Sequence, residues 1–232
     1  MSLHTGHRER IKERFLAEGL DNFSQRHALE LLLCFGNPRG DTAQIAQDLL
    51  DRFGTVSQVL DTPWEDMKKV KGVGDHIATL LTLIPQISRY YLVDRATKNE
   101  TLQTTAECGA YLFRYFHARR NETVFMLCLD AKCKVLCCRE LGEGGVNSAN
   151  VPIRRIVEIA LSVNATTVVL GHNHPSGLAV PSADDVFTTR RVAAALDMVD
   201  IKLADHIVVA DDDYVSLAES GMYHPGECRA LV

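Results

Sequence analysis

The pattern of apolar residues changes near residue 100, and this change limits the folds open to the chain. Residues 1–95 carry apolar side chains at helical spacing, with polar caps and glycine stops between the segments. The second part instead contains continuous apolar runs at 123–129 and 166–170, which are typical of buried strands. The polar residues 94–101 lie between the two patterns and are predicted to form a linker.

These patterns predict two domains, an all-helical domain over residues 1–95 and an α/β domain over residues 102–232. A chain of 232 residues is long enough to form two cores of modest size. In the second domain, a hairpin and later strands mix with helices, which favours an α/β sandwich with a mixed sheet. The helices of this domain are predicted over residues 105–119, 153–163 and 182–196.

Composition excludes some classes of protein. Hydrophobic residues make up 46% of the chain and charged residues 24%, as in ordinary globular proteins. The net charge of −5 gives no global basic field for nucleic acid or anionic membranes. No apolar run is long enough to span a bilayer, so we expect a cytoplasmic protein without a membrane partner. The sequence does not indicate the oligomeric state.

The chain has seven cysteines, without the paired spacing of a zinc ribbon. Four of them lie within eleven residues on the predicted hairpin. Cys128 belongs to an apolar strand, where a free cysteine packs as a small hydrophobic side chain. We therefore expect reduced, mostly buried thiols here rather than a metal or redox centre.

The candidate functional residues follow the apolar run at 166–170. His172 and His174 are separated by one residue, and Ser182 and Asp185 follow them at fixed distance. Alternate residues of a strand share a face, so the two histidines could converge on one ion. Asp185 falls in the first turn of a helix with Ser182 at its N-cap and could reach back toward them. An isolated His-x-His pair often binds nothing, but the complete set favours a Zn²⁺ site with an open position for water.

This stretch resembles the signature of the JAMM (MPN-plus) metallopeptidases, His-x-His-Pro followed by Ser-x-x-Asp. More narrowly, residues 172–177 resemble the RadC family, whose form is His-Asn-His-Pro-Ser-Gly. The resemblance covers nearly the whole chain. It implies a helix-hairpin-helix domain followed by a JAMM/MPN-like α/β sandwich with a cytidine-deaminase-like layout. It also implies Zn²⁺-dependent hydrolysis of amide or isopeptide bonds in a peptide or an isopeptide-linked protein.

A metal-activated water needs a base, and one carboxylate can accept and then return the proton. In JAMM proteins a glutamate at the start of the strand after the first helix does this, and Glu122 is similar in position. Glu140 and Glu143, near a glycine-rich bend, are alternatives. By the same resemblance Ser182 would hydrogen-bond the tetrahedral intermediate or the water, whereas the residues alone also allow a simple N-cap.

Two further features come from the comparison with the RadC pattern. His206, preceded by Asp205, resembles the family's Asp-His pair and could support the metal ligands from behind, or be a packed strand histidine. A Gly-x-x-Asn-Ser segment, matched at 145–148 with the asparagine one position early, is usually followed by Val-His-Pro-Arg-Glu. This chain has Val-Pro-Ile-Arg-Arg at 151–155. The missing histidine and glutamate concern substrate contacts and not the metal ligands.

Residues 67–81 resemble a helix-hairpin-helix motif. Gly72 and Gly74 permit a tight turn, Lys71 adds positive charge, and the amides that open the next helix could bind a phosphate. Asp75 argues against this contact, and such a hairpin can serve only to pack helices. The alternative function is a DNA-repair-associated DNA-binding protein with a structural or degenerate metal site. The link to DNA repair is implied by the family resemblance alone.

Overall fold

The computed structural model describes residues 3–37, 40–95, 100–144, 152–210 and 213–226. The chain divides into two units, Met1–Ser88 and Arg89–Val232. The described residues form the following helices and strands: α1 (Leu3–Glu18), α2 (Gln25–Gly36), α3 (Thr42–Phe53), α4 (Val56–Asp61), α5 (Trp64–Met67), α6 (Asp75–Arg95), α7 (Thr105–Phe116), β1 (Thr123–Leu129), β2 (Val135–Glu143), α8 (Ile153–Ser162), β3 (Thr167–Asn173), α9 (Ala183–Asp197), β4 (Lys202–Ala210) and β5 (Asp213–Ser216).

The first unit is helical, as the sequence predicts. Side-chain caps start its helices: the Ser24 hydroxyl accepts the amide proton of His27 at the start of α2, and Asp41 caps α3. The apolar faces of these helices pack together in one core with the segment that precedes α6. The largest fully buried side chains of this core are Leu29, Leu33, Leu49, Met67 and Leu81. Among the described residues, no helix combines the length and apolar character that crossing a membrane requires.

The second unit is built on a mixed sheet, as predicted. The strand order is β2-β1-β3-β4-β5, with β3 and β4 parallel and the other neighbours antiparallel. Helices cover both faces: α7 packs on one and α8 with α9 on the other. This arrangement is an α/β sandwich with its core divided by the sheet.

Strand β1 explains why the run at 123–129 is apolar at every position. Side chains alternate between the faces of a strand. Val124, Met126 and Cys128 face the helices α8 and α9, whereas Phe125 and Leu127 face α7. Because β1 is central in the sheet and both of its faces are covered, every residue of the strand is buried.

Strand β3 runs further than the sequence indicates. The apolar run ends at residue 170, next to Gly171, but pairing with β4 continues to Asn173. A Cβ atom at Gly171 would lie only 2.8 Å from Leu112 Cδ1 of α7. The glycine therefore permits close packing of helix on strand and does not end the strand. As a result His172 lies within the sheet.

Two other boundaries differ from the predicted ones. Helix α7 was expected to reach residue 119 but ends at Phe116, because Ala118 adopts a positive φ of 57° where the chain turns toward β1. The second strand of the predicted hairpin, for which residues 135–139 are the apolar candidate, runs on to Glu143, because β1 pairs with it along its whole length, from Leu129↔Val135 to Thr123↔Glu143.

Candidate metal centre

The predicted ligands come from three elements that meet at one end of β3. His172 is the second-last residue of β3, and His174 follows the strand directly. Asp185 lies in the first turn of α9. Glu122 immediately precedes β1, and the register Val124↔His172 brings the start of β1 beside the histidines. The order of the sheet therefore places Glu122 with a motif about fifty residues away.

The side chains converge closely. The Nε2 atoms of His172 and His174 lie 2.9 Å apart. His172 Nε2 is 3.3 Å from Asp185 Oδ1, and His174 Nε2 is 3.9 Å from Asp185 Oδ2. Glu122, His172 and His174 each offer one ligand atom, and these atoms lie within 4.8 Å of one another. The structure thus brings the four predicted residues to a single place.

A chain of hydrogen bonds fixes the tautomer of His172. Thr189 Oγ1 donates its proton to the carbonyl oxygen of Asp185 at 2.6 Å. The hydroxyl oxygen therefore accepts the proton of His206 Nδ1, which also lies 2.6 Å away. The unprotonated Nε2 of His206 then accepts from His172 Nδ1 at 2.8 Å. His172 Nε2 is left with a bare lone pair, which points into the cluster.

His174 presents the same kind of nitrogen. Its Nδ1 lies 2.9 Å from the carbonyl oxygen of Leu178, which can only accept, so Nδ1 carries the proton. In the neutral form of the His174 ring, the Nε2 lone pairs of both histidines and the carboxylate of Asp185 therefore face one another. Such a group of donors fits a divalent cation, because its mutual repulsion is relieved by positive charge at the centre.

Burial keeps the imidazoles in the form that binds metals. His172 is fully buried, and burial, together with the charge of His174, lowers its pKa to about 3. The pKa of His206 is also held well below its ordinary value, first by burial and then by His172. Both rings are neutral at neutral pH, and neutral imidazole is the ligand form.

Ser182 and Asp185 form a reciprocal cap at the start of α9. The Ser182 hydroxyl oxygen accepts the Asp185 amide proton at 3.1 Å and donates its own proton to Asp185 Oδ2 at 2.7 Å. Asp185 Oδ2 also accepts from the Ser182 amide at 2.6 Å. The cap occupies Oδ2 with two hydrogen bonds, while Oδ1 is the oxygen nearest His172.

Asn173, between the two histidines, holds the segment that carries Glu122. Its side-chain oxygen accepts the amide proton of Thr123 at 2.8 Å, and its nitrogen donates to the carbonyl of Asn121 at 3.2 Å. The carbonyl of Glu122 itself accepts from the Gly144 amide at 2.9 Å. Sequence reasoning missed Asn173. The available signal was an amide side chain at a strand position flanked by two histidines.

A family model described as "RadC-like JAB domain" matches residues 102–222, which is more than half of the chain. The chain belongs to the RadC family. A second model, "UPF0758 N-terminal", matches residues 4–79 of this RadC protein.

Curated relatives of the RadC chain carry the name UPF0758 protein. One from Xylella fastidiosa strain Temecula1 is 35% identical over 213 residues, covering 92% of this chain and 95% of the relative. One from Methylibium petroleiphilum is 36% identical over 213 residues, covering 92% and 96%. One from Paraburkholderia xenovorans is 33% identical over 210 residues, covering 90% and 83%. These names assign no reaction.

The two alternative glutamates of the RadC chain are engaged elsewhere. Arg119 Nη2 donates to Glu140 Oε2 at 2.6 Å, and Arg119 Nη1 donates to Glu143 Oε1 at 3.4 Å. Within the described ranges, Glu122 is the glutamate that clusters with His172 and His174 at metal-ligand spacing.

Asp205 and His206 of the Asp-His pair have separate partners. His206 belongs to the hydrogen-bond chain behind His172. Asp205 accepts from the His206 amide at 2.7 Å, from Ser216 Oγ at 2.6 Å and from the Ala218 amide at 3.0 Å. Burial raises the pKa of Asp205, and these hydrogen bonds oppose the rise. The carboxylate thus fixes the backbone around β4 and β5, whereas the histidine orients the ring of His172.

In the N-terminal hairpin of the RadC chain, much of the local positive charge is paired. Lys68 pairs with Asp75, and Lys69 pairs with Asp66. Lys71 is exposed. The acids reduce the positive charge that a phosphate would meet. DNA contact through this hairpin stays a prediction.

The two hairpin glycines differ in their surroundings. Gly72 has a φ of +90°, and a Cβ atom there would lie 2.8 Å from Ile45 Cδ1. It is therefore required both by the turn and by packing on α3. Gly74 lies directly before α6, and apart from its two chain neighbours no described residue has an atom within 4 Å of its Cβ position.

Residues 145–151, which include the shifted asparagine, lie outside the described residues. The departure at 152–155 lies at the start of α8, where Pro152 precedes the helix and Arg155 Nη1 donates to the carbonyl of Leu141 at 3.4 Å.

Proposed function

We propose that this RadC-family chain is a Zn²⁺-dependent hydrolase that cleaves amide or isopeptide bonds in peptide or protein substrates. One observation carries the proposal: the Nε2 atoms of two imidazoles and a buried carboxylate face one point, with Glu122 beside them. A structural zinc site closes all four positions with protein ligands, whereas three ligands and a nearby base are typical of catalytic sites.

His172, His174 and Asp185 would hold the metal. Nitrogen and carboxylate ligands in this number suit Zn²⁺ better than the harder Mg²⁺ or Ca²⁺, which prefer more oxygen ligands. When bound, the ion supplies a Lewis acid that lowers the pKa of a water molecule and polarises a carbonyl group.

Glu122 would act as the base and later as the acid. A carboxylate beside the attacking water accepts its proton, and the same group can deliver that proton to the leaving nitrogen. Asn173 is hydrogen-bonded to the residues on either side of Glu122. This contact supports the role, since a general base must be held within hydrogen-bond reach of the water proton that it accepts.

Ser182 would contribute first by holding Asp185. Its hydroxyl proton is directed to Asp185 Oδ2, so donation to an oxyanion requires this bond to exchange. Contact between Ser182 and the tetrahedral intermediate therefore stays a prediction from the family resemblance. The role of Ser182 as the N-cap is the one that its hydrogen bonds to Asp185 support.

The test combines metal content and turnover. Untagged protein purified without chelator should contain about one zinc per chain by elemental mass spectrometry, and His174→Ala should lose it. Glu122→Gln should keep the zinc but lose hydrolysis of peptide and isopeptide-linked substrates, with Glu140→Gln as the matched control that retains activity. Metal-free wild-type protein, or full turnover by Glu122→Gln, would refute the proposal and leave the DNA-associated function as the leading alternative.

A further inference from the structure

Two cysteines face each other across the hairpin of β1 and β2. Cys128 and Cys137 are directly opposed in the antiparallel register, and both pack into the core on the side of α8 and α9. Cys138 packs on the opposite side of the sheet. Opposed residues on one face have Cβ atoms about 4.5–5.5 Å apart, close to the spacing that a disulfide needs. This pairing is independent of the metal centre and of the proposed hydrolysis.

The two thiols are not equivalent. Cys128 is fully buried, whereas Cys137 is only partly buried and lies on β2, an edge strand of the described sheet. The interaction with the opposed Cys128 thiol, together with the charge of Arg139, holds the pKa of Cys137 below its ordinary value. The same interaction and burial raise the pKa of Cys128. The accessible sulfur is thus the one that ionises first, and the thiolate is the reactive form.

The other described cysteines lack this combination. Burial raises the pKa of Cys108 to about 12 and also raises that of Cys138. Cys34 is buried, with its sulfur 3.5 Å from Thr42 Oγ1. Cys133 lies in the hairpin turn and has no directly opposed cysteine in the register. A thiolate with a second thiol as its hydrogen-bond partner is typical of an attacking cysteine beside a resolving cysteine.

We propose that Cys137 and Cys128 form a modification site that reacts with hydrogen peroxide or a small organic hydroperoxide and closes to a disulfide. The Cys137 thiolate attacks one peroxide oxygen: an S–O bond forms, the O–O bond breaks, and the leaving hydroxide or alkoxide takes up a proton. Cys128 then attacks the Cys137 sulfur, an S–S bond forms, and the S–O bond breaks. The Cys128 proton leaves with the hydroxyl as water. The two thiols lose two electrons and two protons, and the peroxide is reduced.

The experiment maps the disulfide in the full-length chain. Reduced, desalted protein is exposed briefly to hydrogen peroxide, blocked with an alkylating reagent and digested with trypsin without reduction. Cleavage after Lys132, Lys134 and Arg139 places Cys128 on the peptide 121–132 and Cys137 with Cys138 on the peptide 135–139. We expect these two peptides to be linked, with Cys138 alkylated and the mass of the pair lower by two hydrogen atoms than the sum of the two peptides so alkylated.

Variants identify the atoms involved. Cys138→Ser should still form the link, whereas Cys137→Ser should lose it. Cys128→Ala should leave a sulfenic acid on Cys137 that a 1,3-dione probe captures. Alkylation of both thiols in peroxide-treated wild-type protein, or a link that Cys138→Ser removes, would overturn the proposal. The wild-type map decides the question even if Cys128→Ala does not fold.

Discussion

Asn173→Ala should lower the free energy of unfolding of the second unit by about 2–3 kcal/mol. The amide of Thr123 is fully buried, so its N–H group would lose its partner without gaining water, at about 1–3 kcal/mol. Asn121 is exposed, so its carbonyl can be hydrated again and the second bond contributes only about 0.5–1 kcal/mol. Asn22→Ala, at an exposed position, is the control and should change stability by less than about 0.5 kcal/mol.

Urea unfolding can separate the two units in one sample. Trp64 is the only tryptophan in the chain and lies in the first unit, so its fluorescence reports the helical unit. The circular dichroism signal of β-strands follows the second unit, because the described strands all lie there. For Asn173→Ala we expect the second transition to move to lower urea while the fluorescence transition stays in place. A change below about 0.5 kcal/mol in the second unit would show that Asn173 does not hold the segment of Glu122.

Four further outcomes follow from the site. Thr189→Val removes the acceptor of His206 and should weaken zinc binding about 10- to 100-fold in competition with a chelator, whereas Thr189→Ser should restore it. Ser182→Ala should cost about 1 kcal/mol of stability through the lost cap, measured by urea unfolding, and Ser182→Asn should recover most of it. Metal-free protein should lose stability as the pH falls below about 6.5, because His172 has a pKa of about 3 when folded and takes up its proton more readily when unfolded; a urea midpoint that does not change between pH 7 and pH 4 would contradict this. If the hairpin binds DNA, the affinity for DNA should fall steeply with salt in an anisotropy titration and should be lower still for Lys71→Glu. An affinity that neither salt nor Lys71→Glu changes would exclude that contact.

The sequence predicts those parts of the molecule that depend on local pattern. The apolar run at 123–129 specifies a central strand, because a strand covered on both faces needs apolar residues at every position. The spacing of His172, His174 and Asp185 likewise places three ligands on a strand end and a helix start that are close in sequence.

The partners of those ligands are harder to predict, because they depend on tertiary contacts. Asn173 reaches a segment about fifty residues away, and Thr189 meets His206 across the space between α9 and β4. No short sequence motif relates these pairs, because the partners lie far apart in sequence. The role of Gly171 is hidden for a related reason, since its small size matters for the approach of α7 and not for a local turn.

Asp185 belongs to two structures at once, because Oδ2 closes the first turn of α9 while Oδ1 faces His172. Ion occupancy and fraying of this turn are therefore linked, and the linkage is reciprocal: an ion that binds Asp185 holds the turn closed, and a frayed turn releases the ion. The Asp185 amide proton, which is bonded to Ser182 Oγ, should exchange with solvent more slowly as the site fills. A single backbone amide would then report how much of the protein carries metal.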